Sequence, residues 1–69
     1  MGENDLALSR AASVAVEASR VIRLLPATAR EKAMSLCAER SHQVANAIRQ
    51  RRYETAYLAL DTLAEKLRI

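Results

Sequence analysis

Between residue 3 and the C terminus this 69-residue chain has no glycine and a single proline, Pro26. Those two residue types interrupt helices most strongly, and the remainder is rich in Ala, Leu, Arg and Glu, the strongest helix formers. An all-α fold is therefore expected, with a marked corner at Pro26, because a proline disfavours helical geometry in the residue before it. A chain of this length makes one domain, residues 1–69. It buries only ~60% of its unfolded surface, so stability needs some reinforcement.

The reinforcement is not covalent. Cys37 stands alone, which excludes a disulfide within the chain, and Cys37 with His42 is too small a set for a zinc site. No metal or cofactor is expected. An unpaired cysteine suits a reducing, cytoplasmic setting. The composition is 51% hydrophobic but only 3% aromatic, with no Phe or Trp. Helix packing and self-association are what remain, and a homodimer is expected.

Three helices follow from the pattern, at about residues 5–25, 29–50 and 53–68. Asn4 or Asp5 is suited to cap the first. Its apolar residues form two stripes, one of Ala7, Ala11, Val14, Ala18, Val21 and Leu25, the other of Leu8, Ala12, Ala15, Ser19 and Ile22. The apolar surface thus wraps well over half the cylinder, as in a helix buried on two sides. One side can be covered by the rest of the chain and the other by a second subunit; Val14, Ala18, Val21 and Leu25 are the expected dimer interface.

The second helix should start at Ala29, since Thr28 and Glu31 have the spacing of a capping box. Its apolar line is Ala33/Met34, Cys37, Ser41, Val44/Ala45 and Ile48. Continued, that line meets Arg51, Arg52 and Thr55, whereas a new line in a different phase begins at Tyr53 and runs through Ala56/Tyr57, Leu60, Leu63/Ala64 and Leu67. The phase change places a short corner at Gln50–Arg52. One long helix with a shifted seam is the structural alternative.

Around that corner, "VANAIRQRRYETAYLALDTLA" resembles a tetratricopeptide-type helical hairpin, with small and bulky residues late in one helix, a short polar corner, then an aromatic three residues before an alanine. The resemblance spans residues 44–64. It implies one hairpin, in which Ala45 and Ala56 allow a close helix crossing, and not a stacked array, which needs about three units. As a whole the chain is similar to the small helical regulators that phages and plasmids encode. Among these are phage anti-activators that bind bacterial transcription regulators, and helical-hairpin dimers that bind RNA.

Chemistry is sparse. His42 is the only imidazole and lies too far round the helix from Cys37 to pair with it; no phosphate loop or paired carboxylates stand out. No enzymatic activity is expected. The apolar line makes Cys37 a small core residue, and His42 falls on a solvated face. A leader peptide and a membrane-spanning segment are not expected either, because charges interrupt every apolar run.

What stands out is Arg49, Arg51 and Arg52 running into Tyr53 and Tyr57, the only tyrosines. Arginines there also complement the dipole at a helix C terminus. As a functional patch, the five residues are candidates for partner binding, because Arg and Tyr are enriched at interface hot spots. The expected function is a non-enzymatic regulator or inhibitor that masks a surface on a larger protein, such as a transcription regulator. The alternative is a nucleic-acid-binding hairpin whose arginines contact phosphates, with the formal charge of +3 as mild support.

Overall fold

A computed structural model describes residues 2–69 of the chain. Its three helices are α1 (Glu3–Arg23), α2 (Ala27–Arg49) and α3 (Tyr53–Leu67). The described residues contain no strand. The second and third helices form the hairpin expected from the phase change, and α1 packs across both.

Each boundary has a local cause. At the start of α1 the carbonyl of Gly2 accepts the amides of Asp5 and Leu6 at 3.1 and 3.2 Å. Gly2 is the cap residue, and Asp5 lies inside the first turn with Glu3, where negative charge suits the dipole. Neither Asn4 nor Asp5 is the cap. The helix ends at Arg23, two residues short of the expected Leu25. The amides of Leu24 and Leu25 turn back to Val21 and Ile22 in a tightened last turn (both 3.1 Å), because Pro26 bars Leu25 from helical geometry.

The second helix begins earlier than the capping-box spacing implies. Pro26 occupies the cap position with φ −59° and ψ 156°, and its carbonyl accepts the Arg30 amide at 2.8 Å. Thr28 then falls inside the first turn and forms no side-chain cap, so the Thr28–Glu31 box is not made. A proline whose fixed φ already suits the helix entry takes precedence over a hydroxyl two residues later. The Arg30 guanidinium donates to the Leu25 carbonyl at 3.2 Å, which ties the two sides of this corner together.

The corner between α2 and α3 is a Schellman turn. The Arg51 amide donates to Ile48 at 3.0 Å and the Arg52 amide to Ala47 at 2.7 Å. The pairing requires a left-handed residue between them, and Arg51 supplies it with φ 60°. The long-helix alternative is thereby excluded. Arg68 repeats the device at the end of α3: φ is 58°, with Arg68 and Ile69 amides on the Glu65 and Ala64 carbonyls. Glycine is the usual residue at such a position; an L side chain there costs ~1 kcal/mol.

The interior is thin. Among the described residues eleven apolar ones are buried, and six of them are alanines: Ala7, Ala18, Ala33, Ala47, Ala56 and Ala59. Val14, Val44, Leu60, Leu63 and Leu67 supply the bulk. Alanines let helices approach closely but hide little surface each. In the hairpin the close crossing uses Ala47 and Ala56; the expected Ala45 is exposed. Between α1 and α3, Arg10 Nη2 meets Asp61 Oδ1 at 2.7 Å. With both side chains more than half exposed, the pair contributes within ~1 kcal/mol.

Two substitutions test this account in opposite directions. Arg51→Gly removes the left-handed strain and should stabilise the fold by about 1 kcal/mol, raising Tm by roughly 5 °C. Leu63→Ala opens a cavity in a core with little to spare and should cost about 2–5 kcal/mol. Thermal melts followed by circular dichroism read both; a lower Tm for Arg51→Gly contradicts the strained corner.

Candidate protein-binding surfaces

The hairpin corner is built by consecutive local requirements. Arg49 is the last residue of α2, Arg51 is the left-handed residue of the Schellman turn, and Arg52 occupies the cap position of α3. All three side chains are exposed, and among the described residues none of them is ion-paired. Tyr53 and Tyr57, one turn apart on α3, are half-buried. The five sequence-selected residues are therefore contiguous along one end of the molecule, with the arginines projecting and the tyrosines partly seated.

What sits beside them leaves no trace in the local residue pattern. The N terminus of α1 returns to this end, and Glu3 lines a shallow hollow with Arg51, Arg52, Tyr53, Glu54 and Thr55. Two carboxylates thus share the hollow with two of the arginines, and the local field is mixed. A patch of this kind suits an interface carrying both donors and acceptors better than a uniform row of phosphates.

The second surface is apolar. Of the four residues expected at a dimer interface, Val14 and Ala18 lie in the interior of the chain, at 9% and 4% exposure. Val21 and Leu25 are half-buried and pack against that interior. Most of the other stripe of α1 faces outward: Leu8 is 50% exposed, Ala12, Ala15 and Ser19 are exposed as well, and Ile22 at its end is half-buried against the core. This stripe forms one wall of a groove of about 470 Å³ between α1 and α2. Cys37, Ser41, Ala45 and Ile48 of α2 form the other wall, and the buried Leu60 and Leu63 of α3 form its floor. No charged residue lines it. A helix with two apolar stripes presents the same sequence signal whichever one turns inward; packing of Val14 and Ala18 onto the leucines of α3 makes the choice.

Groups capable of chemistry are dispersed. Cys37 sits half-buried in the groove wall, and partial burial pushes its thiol above the ordinary value by disfavouring the thiolate. The exposed His42 is hydrogen-bonded to Asn46, one turn on, at 3.3 Å. Among the described residues no three His, Cys, Asp or Glu side chains converge on a point where a metal could bind, and no helix is long and apolar enough to cross a membrane. No protein-family model, characterised protein or solved structure matches the chain. Its resemblance to a tetratricopeptide-type hairpin rests on the pattern of residues 44–64 alone, and that to phage and plasmid regulators on size, composition and the lack of cofactor chemistry.

The Cys37 environment makes a pH prediction. Its folded-state pKa is raised, so the protonated thiol is the form the fold favours. That contribution is complete below the ordinary thiol range and is lost as pH climbs through the shifted value. Alkylation at pH 8 should be several-fold slower than that of an unstructured peptide thiol and should accelerate only at more alkaline pH. Mass spectrometry of iodoacetamide-treated protein measures this; a rate equal to the peptide's refutes it.

Proposed function

We propose that this protein is a non-enzymatic, protein-binding regulator that acts by occupying a surface on a larger protein, such as a transcription regulator, and that it works as a homodimer. The observation carrying the reading is the arginine–tyrosine corner. Arg49, Arg51 and Arg52 are exposed and, among the described residues, free of ion pairs, on a turn pinned by two backbone hydrogen bonds of 2.7 and 3.0 Å. A patch whose backbone is already ordered loses less entropy on docking than a loose basic tail. Tyr53 and Tyr57 add amphipathic contact area of the kind found at hot spots.

Masking requires affinity and shape but no bond making, and it is consistent with the dispersal of Cys37 and His42. A phosphate-binding role for the same arginines is less well supported, since Glu3 and Glu54 line the hollow beside Arg51 and Arg52. Phosphate contacts are weakened by neighbouring carboxylates and strengthened by uniform positive charge.

The deciding experiment compares wild type with the double variant Arg51→Glu/Arg52→Glu in affinity capture from cells, with circular dichroism confirming that both are folded. The expected result is one main captured protein at fixed stoichiometry, lost from the double variant. Retention of that protein by the variant removes the corner from the interface. Binding to generic duplex DNA or RNA at low salt that falls steeply as salt rises would replace this proposal with the nucleic-acid one.

A further inference from the structure

We infer that the groove between α1 and α2 receives α1 of a second copy of this chain, laid antiparallel about a two-fold axis at Ala15. This rests on the homodimer reading above and assigns it a surface and a geometry.

The first support is area. The chain exposes 5126 Å². A compact monomer of 7.6 kDa is expected to expose about 4,300 Å², so the excess is about 800 Å². Each partner in a standard protein interface contributes about 800 Å². The radius of gyration, 12.1 Å, likewise exceeds the roughly 11 Å expected for a compact chain of this length. As a monomer, the molecule is under-buried by about one interface.

The second support is the character of the α1 stripe that borders the groove, exposed at Leu8, Ala12, Ala15 and Ser19 and half-buried against the core at Ile22. Leu8, Ala12, Ala15, Ser19 and Ile22 follow alternating spacings of four and three, the repeat of a two-helix seam. The stripe is bulky at both ends and small in the middle. Turned antiparallel about Ala15, it sets Leu8 of one chain against Ile22 of the other and Ala12 against the Ala18–Ser19 turn. The small centre lets the two backbones close, and the bulky ends fill the space beyond it. An interface around a two-fold axis must be self-complementary in this way. Arg10, Glu17 and Arg20 lie off the seam, while Val16, 53% exposed, flanks it.

The two most exposed large apolar side chains, Leu24 and Leu58, lie outside the groove. Leu58 borders a hollow shared with Arg40, Gln43, Asn46 and Gln50, a polar surround. Leu24 stands at the Pro26 corner.

The test uses the full chain. Light scattering should give wild type twice the chain mass and Ala15→Glu the single-chain mass, with an unchanged helical spectrum because position 15 is exposed. In a Cys37→Ser background, mild oxidation should cross-link Ala15→Cys into dimers, while Leu8→Cys alone and the outlying Ser35→Cys should not. Leu8→Cys mixed with Ile22→Cys should cross-link as a heterodimer. Monomeric wild type overturns both this seam and the homodimer reading. Dimeric Ala15→Glu overturns the groove and leaves the homodimer standing. A dimer without the Ala15→Cys cross-link, or one joined through Leu8→Cys to itself, overturns the antiparallel seam. Partner capture through the arginine corner is read separately and is unaffected by any of these outcomes.

Discussion

Three leucines on one face of α3 hold the molecule together. Among the described residues Leu60, Leu63 and Leu67 are the only buried leucines, and the other eight buried apolar residues are all alanines or valines. The shortest helix therefore supplies the volume, and the two longer ones supply small residues that close around it. Both the hairpin and the placement of α1 depend on this. Ala47, Ala56 and Ala59 bring α2 and α3 together, while Val14 and Ala18 bring α1 down onto the same leucines. A core of this composition hides limited apolar area, which is why so much of α1 and α2 stays in contact with water.

The two corners turn that packing into surfaces. Pro26 ends α1 and starts α2 within three residues, and Arg51 accepts a left-handed backbone so that α2 and α3 can fold back on each other. At one end of the bundle the strained turn presents Arg49, Arg51 and Arg52 above the half-buried tyrosines. Along its side, the rotation of α1 leaves Leu8, Ala12, Ala15 and Ser19 uncovered. Both surfaces follow from connections of three residues, and neither needs a dedicated loop.

Much of the fold was legible beforehand because helical periodicity is a local property. The number of helices, the Pro26 corner and the break at Gln50–Arg52 all follow from spacing and from the geometry of a proline. What spacing mispredicted was end chemistry. The Thr28–Glu31 pair has the form of a capping box, yet Pro26 starts the helix earlier, and Gly2 takes the place expected of Asn4 or Asp5. These are contests between neighbouring groups for the same backbone donors, and their outcome depends on φ and ψ that residue types only bias. The arginine and tyrosine cluster was visible as a run of residues; that Glu3 lies beside it was not, since 48 residues of chain separate Glu3 from Arg51.

The sequence by itself determined an all-helical chain of three segments and the corner at which its arginines gather, because helix propensity, proline geometry and apolar phase act over a few residues. Only the tertiary structure decided which stripe of α1 turns inward. Both stripes satisfy the same periodicity, so the choice falls to long-range terms: the leucines of α3, the approach allowed by facing alanines, and the rotation set at each corner. Those terms buried Val14 and Ala18 and left Leu8, Ala12, Ala15 and Ser19 outside. They also joined Arg10 to Asp61 across 51 residues of chain, a pairing that local patterns do not contain.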